Sequence, residues 1–360
     1  MKSKKLLMVA AVGLLAVTGL VSCNEKTEED TTIDVQFVPS RDPGELATLA
    51  KNLEPILNKA VTGYTFNITT GTSYAATTEA MLSSQIDVGF LTASGYAEAT
   101  LKHKGEIEVS MTSVRKGYKV QTDDYPGDVD KQIKAMNGEI SGYTYLGDQS
   151  TTDVNWYTSQ LCVAKQYYVD KNGDGKIDIK DMAGLTIARQ GQTSGAGYLR
   201  PLKYLNDYGM KMVDELTDAT TQIKGLYIKG YDAALSAMLT GEVAGFWGFT
   251  DVRYSNGYNK EGNTAWYHNS KIFEDYPCVA ITDGIYNDTI SVRSGLSDNA
   301  KAAVKTAFKA AVKDGDKDTE GTGAYYLYNL YSHTGYTDAK DSDFDGEREF
   351  YQYCVDNNLL

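Results

Sequence analysis

The densest group of oxygen-bearing side chains in the sequence is Asp170-Lys-Asn172-Gly-Asp174-Gly175-Lys176-Ile177-Asp178-Ile-Lys-Asp181. Side-chain oxygens stand at positions 1, 3, 5, 9 and 12 of this window, with Gly at 6 and an aliphatic at 8. That is the spacing of an EF-type calcium loop, where a hard cation gathers about six to eight oxygens and the glycine permits a sharp turn. The expected ligands to Ca2+ are the side chains of Asp170, Asn172, Asp174 and Asp181, the carbonyl of Lys176, and Asp178 directly or through water. Position 12 carries Asp where the helix-loop-helix form has the longer Glu. The window lies between a strand and the next element, so its role would be structural. An acidic surface turn has the same composition. Asp341, Asp343, Asp345 and Gly346 resemble half of such a loop, but Gln352 at position 12 is a weak ligand, and an acidic helix start is the better reading.

The second group is Thr193-Ser194-Gly195-Ala196-Gly197-Tyr198, a turn between a predicted strand and a predicted helix. Backbone N–H groups at a helix start attract anions, and small residues let an anion approach. A plain helix cap has the same sequence. No Gly-Lys-Ser/Thr follows, so this is no P-loop. His103, His268 and His333 are isolated, and neither HExxH nor Gly-x-Ser-x-Gly occurs. Cys162, Cys278 and Cys354 match no zinc spacing. They read as buried thiols, with a Cys162–Cys278 bridge left open.

The elements that must hold these groups alternate. Ile33–Val38 has strand periodicity, Pro43 opens a helix with Leu46, Leu49, Leu53 and Leu57 on one face, and strand 64–69, helix 73–83 and strand 86–91 follow. This βαβαβ run predicts an α/β lobe with a mostly parallel sheet. Residues 115–154 lack a sustained period and read as loops beside the cleft, with room for a hairpin. Strands are expected at 157–164, 185–188 and 243–249, and helices at 198–208, 231–240, 300–312 and 347–357. At the start, Lys2, Lys4 and Lys5 precede an apolar run from Leu6 to Leu20, too short for a membrane span and right for a signal peptide. It ends in Leu20-Val-Ser-Cys23, which resembles a lipobox, so Cys23 is the expected lipidated first residue. Residues 23–32 are a polar tether. Signal cleavage at 22 removes three lysines and no acid from a chain of charge −13, leaving about −16, which argues against nucleic acid or anionic lipid as partners.

From about Ile33 to Tyr353 the chain resembles the phosphate/phosphite/phosphonate-binding proteins of ABC importers. The resemblance is carried by Val38-Pro-Ser-Arg-Asp42, Thr72-Ser-Tyr-Ala-Ala76, Gln85-Ile-Asp-Val88, Tyr157-Thr-Ser159, Met182-Ala-Gly-Leu-Thr186, Thr193-Ser-Gly-Ala-Gly-Tyr-Leu199, Tyr231-Asp-Ala-Ala234, Thr250-Asp-Val252 and Asn287-Asp288. It implies the type II periplasmic binding protein fold, two α/β lobes with a two-strand hinge: residues 33–158 plus 282–360, and residues 159–281 with the EF-type loop inserted. It also implies site residues. Tyr74 and Tyr157 match cleft tyrosines. Ser194, Gly195 and Ala196 fall on an oxyanion-holding turn, here short of two hydroxyls. Tyr231 stands where the family has a His. Asp251 matches an acidic position that receives a ligand amine, and Asp288 an Asp beside it.

The function these readings imply is an extracytoplasmic, lipid-anchored solute-binding protein, not an enzyme. It would hand a phosphonate or related oxyanion, with an amine at Asp251 in the zwitterionic case, to an ABC transporter permease. A different organic solute on the same fold, a calcium-dependent surface sensor or adhesion module, and an extracellular enzyme are the alternatives. The missing catalytic constellation weighs against the enzyme, and the absence of repeats against an adhesin.

Overall fold

Buried Ile33, Val35 and Phe37 alternate with half-exposed Asp34 and Gln36, which makes Thr32–Phe37 a strand, β1, with one face on a core. The helix Pro43–Ala60 lays Leu46, Leu49, Leu53 and Leu57 on that face. The computed structural model describes residues 31–39 and 43–360. The predicted signal peptide, Cys23, the tether up to residue 30, and residues 40–42 of the first family stretch lie outside the described residues.

The chain continues through β2 (Thr65–Thr70), helix Tyr74–Leu82, β3 (Val88–Leu91), helix Ala93–Lys102, β4 (Ile107–Tyr118), helix Val129–Met136, β5 (Gln149–Val154) and β6 (Trp156–Val163). Then come β7 (Thr186–Arg189), helix Arg200–Asp207, β8 (Lys211–Val213), β9 (Gln222–Tyr227), helix Tyr231–Leu239, β10 (Gly245–Phe249), β11 (Cys278–Tyr286) and β12 (Thr289–Arg293). Helices Asp298–Ala311, Gly323–Tyr331 and Asp345–Asp356, with β13 (Gly335–Asp338), complete it.

Two sheets form. In the first the order is β13-β4-β12-β3-β1-β2, with β5 paired to β4; in the second it is β11-β6-β10-β7-β9-β8. β1 runs parallel to β2 and β3, and β7 parallel to β9 and β10, as crossover helices require. β12, from the far end of the chain, inserts antiparallel between β3 and β4. β6 and β11 pair antiparallel and are the two crossing strands, meeting at Trp156↔Tyr286. Just beyond, the buried Asn287 fixes the crossing: its N–H donates to the Asn155 carbonyl, and its side-chain amide to the carbonyls of Ser113 and Val154.

The segment 120–146 departs from the sequence reading, which leaves it as loops of the first lobe. It contains the helix Val129–Met136, and Val120, Ala135, Met136 and Tyr145 share a core with Ala234 and Leu235 of the helix Tyr231–Leu239 and Phe246 of the second sheet. The boundary at 158 therefore does not follow the packing. Cys162 and Cys278 are directly opposed across β6 and β11 and are free, buried thiols.

Candidate functional site

In open α/β sheets ligands collect beyond the carboxyl ends of the strands. Here those ends are Val38 after β1, Thr92 after β3, residues 190–194 after β7, and Phe249 of β10. Three helices start there. Ser73 caps Tyr74–Leu82 by accepting from the Ala76 N–H, and Thr92 caps Ala93–Lys102 by accepting from the Gly95 N–H. Ser194 caps a turn that runs into Arg200–Asp207, its Oγ accepting from the Gly197 N–H at 3.1 Å.

Between the sheets lies a cavity of about 60 Å³ lined by Tyr74, Thr92, Arg115, Tyr157, Ser194 and Tyr231, with Phe249, Asn256, Asp288 and Tyr331 beside them. Ser194 Oγ and Tyr231 Oη are 3.2 Å apart, and the Tyr231 ring stands edge-on to Phe249 at 5.0 Å. Gly230 makes this possible: its φ of 91° is open to glycine and turns the chain into the helix that starts with Tyr231. Burial pushes the Tyr74 and Tyr157 phenols well above their ordinary pKa, and Tyr231 up to about 12, so all three stay protonated hydrogen-bond donors at neutral pH.

The charge in this cavity is a pair. Arg115 of β4 is bonded to Asp288, both side chains about one-seventh exposed, and its guanidinium lies 4.9 Å from the Tyr157 ring centre. Burial, the largest single influence, would raise the Asp288 pKa, but Arg115 and His333 together outweigh it and hold the carboxyl below its ordinary range. His333 lies behind, with Nε2 at 3.8 Å from Asp288 and Nδ1 at 3.0 Å from the Tyr336 hydroxyl. Burial depresses its pKa to about 4, so it is neutral near pH 7.

The structure thus brings together Tyr74, Tyr157, Ser194, Tyr231 and Asp288. Gly195 and Ala196 sit behind Ser194 and do not line the cavity. A Cβ on Gly195 would stand 3.2 Å from Ile285 and 3.6 Å from the Tyr157 hydroxyl, and the Ala196 carbonyl accepts from Ser159 Oγ at 2.6 Å. Asp251 is a correction. It is fully buried below the cavity, where Arg253 folds back to bond both carboxylate oxygens and the Tyr145 hydroxyl donates at 2.9 Å. With its oxygens spent on Arg253, Asp251 cannot receive a ligand amine. The Asp-x-Arg spacing is the sequence signal for that pairing.

Arg115 is the main residue that sequence reasoning missed. Tyr331 was missed too: it ends the unrecognised helix Gly323–Tyr331, and its hydroxyl donates to the Val38 carbonyl at 2.7 Å.

The EF-type loop lies at the opposite end of the second sheet, before β7, away from this cavity. Asp170 accepts from the N–H groups of Gly173 and Gly175, and the buried Asp181 from those of Lys171, Asn172 and Asp178. Gly173 and Gly175 take positive φ. Among the described residues no three His, Cys, Asp or Glu side chains converge on one point. The donor set is nonetheless all oxygen, the set calcium prefers. Among the described residues no helix is long and apolar enough to cross a membrane.

Comparison with known proteins gives a family. A family model described as "ABC transporter, phosphonate, periplasmic substrate-binding protein" matches residues 35–344. No curated protein matches the sequence. Among solved structures, a binding-protein component of an ABC phosphonate transporter from Pseudomonas aeruginosa is 14% identical, with a TM-score of 0.60 over 91% of this chain and 87% of that one. PhnD1 from Prochlorococcus marinus, in complex with methylphosphonate, is 12% identical, with a TM-score of 0.61 over 92% and 99%. The alkanesulfonate-binding protein SsuA from Xanthomonas axonopodis pv. citri, bound to MOPS, is 13% identical, with a TM-score of 0.53 over 92% and 95%. At these identities the structural likeness shows the type II fold, and the family model supplies the family.

Proposed function

The chain belongs to the phosphonate-binding family of ABC-transporter periplasmic substrate-binding proteins, and on that premise we propose that its ligand is a small phosphonate, bound as the monoanion. The observation that carries this is the Arg115–Asp288 pair set among hydroxyl donors in a cavity of about 60 Å³. At roughly 10–15 Å³ per water, such a space holds on the order of five water-sized groups, the bulk of a phosphonate head. Arg115 supplies the counter-charge, and Ser194, Tyr74, Tyr157 and Tyr231 supply neutral donors. Asp288, being ionised, only accepts. It therefore favours an anion that still carries an O–H, which a phosphonate monoanion does and a sulfonate does not. A charge-assisted hydrogen bond contributes about 1.5–3 kcal/mol, roughly tenfold to a hundredfold in affinity. Isothermal titration should therefore rank methylphosphonate above methanesulfonate by at least about tenfold, and Asp288→Asn should narrow the gap. Equal affinity for the two anions would sink the phosphonate assignment and favour a sulfonate or another organic solute.

In this reading the protein delivers its ligand to an ABC permease, and the cavity presents hydrogen-bond donors and an ion pair that hold it. Lipid anchoring at Cys23 is part of the proposal, supported by the Leu20-Val-Ser-Cys23 pattern after an apolar run. The intact mass of membrane-extracted protein tests it. We also propose a structural calcium ion in the loop 170–181, held by Asp170, Asn172, Asp174, Asp178, Asp181 and the Lys176 carbonyl. The ion would crosslink the loop between β6 and β7 and take no part in ligand binding.

A further inference from the structure

A second, larger cavity of about 410 Å³ lies against the first, and Tyr74 lines both. Its walls come from both halves of the molecule: Tyr74, Glu98, Lys102 and Tyr351 from one side, Gln190, Tyr227 and Lys229 from the other. We propose that this outer cavity is a subsite for the substituent of a larger phosphonate, and that it selects a carboxylate or similar anionic, hydrogen-bond-accepting group on that substituent. The inference rests on the proposed function, since the phosphonate head must occupy the inner cavity.

Three observations carry it. The inner cavity has little room beyond a head group, and the outer space, which shares Tyr74 with it, is large enough to take a substituent. Gln190, 2% exposed, accepts from the Gly230 N–H through Oε1, while its Nε2 has no hydrogen-bond partner among the described residues. A buried donor left unsatisfied is costly, and a side-chain shift that brought Nε2 to a ligand acceptor in this cavity would relieve the cost. The two lysines of the outer cavity also differ in their commitments. Lys102 is committed to Glu98 at 2.6 Å, whereas Lys229, among the described residues, has no carboxylate partner and donates only to the Thr72 carbonyl at 2.8 Å. The outer cavity therefore offers surplus donors, one of them cationic. Tyr227, half exposed, and Tyr351 give flanking aromatic surface for a carbon chain.

The test is titration calorimetry with methylphosphonate, propylphosphonate, and a carboxylate-tailed series of phosphonoacetate, 3-phosphonopropionate and 4-phosphonobutyrate, on the wild type and on Lys229→Gln. At least one carboxylated ligand should bind about tenfold or more tightly than propylphosphonate, as expected for a hydrogen bond to a charged group. Lys229→Gln should bring that ratio close to one. Because Lys229 also bridges to Thr72, a loss shared with methylphosphonate reports on the bridge, and only the ratio between ligands counts. If methylphosphonate binds but no carboxylated ligand has an advantage, or the advantage survives Lys229→Gln, the subsite is refuted and the inner site stands. If methylphosphonate does not bind, the phosphonate reading falls and the subsite with it.

Discussion

His333 is packed beside the Phe90 and Tyr331 rings, close to Arg115, Asp288 and Tyr336, in a place where a proton is unwelcome. Its pKa is depressed to about 4 by burial, against 6.5 for the free side chain. Between those values the unfolded chain binds a proton that the folded chain does not, so stability rises with pH across the window. The contribution is complete above pH 6.5 and is lost as pH falls toward 4. It amounts to on the order of 3 kcal/mol. Urea unfolding at a series of pH values should show this loss, and His333→Gln should flatten it. The depressed Asp288 pKa acts in the same direction at still lower pH, as Asp288 protonates. Asp251 belongs to stability for another reason. Asp251→Asn leaves Arg253 buried with a neutral partner, which should cost about 3–5 kcal/mol, while an amine on the ligand should make no difference to its effect. Of the cavity residues, Ser194 was legible from its turn between strand and helix, whereas Tyr74, Tyr157, Tyr231 and Asp288 were named only through the family resemblance. Arg115 was not legible, because it opens the segment 115–154, which has no sustained period and reads as loops, and only the fold brings Asp288 to it.

At the scale of elements, the alternation of strands and helices in residues 32–91 could be read directly, since Leu46, Leu49, Leu53 and Leu57 keep a helical period and Ile33, Val35 and Phe37 a strand period. The helix Val129–Met136 escaped because it buries Gln132 along with Ala135 and Met136, so its inner face is not apolar in sequence. The helix Gly323–Tyr331 escaped because tyrosines stand on its buried and half-buried sides alike. The loop 170–181 was legible as a motif, and its predicted behaviour is a matter of one element. Chelating calcium should lower the unfolding temperature and leave methylphosphonate affinity unchanged, because the loop joins β6 to the amino end of β7 while the ligand sits at the other end of that strand. Calorimetry with no calcium uptake at millimolar concentration would refute the calcium reading.

Across the whole molecule, side chains stitch the two halves together around the ligand cavity. Thr92 donates to the Thr193 carbonyl at 3.1 Å, Lys229 to that of Thr72, and Lys260 pairs with Glu45 at 2.7 Å. On another side, Arg200 pairs with the buried Glu347, and Phe350 and Cys354 of the last helix pack on Leu199. The first set consists of partly exposed, individually weak contacts, each worth at most about 1 kcal/mol, so they should part when the ligand leaves. Small-angle scattering should show a larger radius of gyration without ligand, and an unchanged profile at proven saturation would count against hinge closure. The placing of β12 has a consequence for how the protein is made. Residues 289–293 must slot between two strands that were synthesised some two hundred residues earlier. Until they emerge from the ribosome, β3 and β4 have no common partner and the first sheet cannot close. A sheet completed only by such a distant segment forms late. For a protein of a periplasmic family, delayed completion keeps the nascent polypeptide threadable through the export machinery until nearly the whole chain has been made.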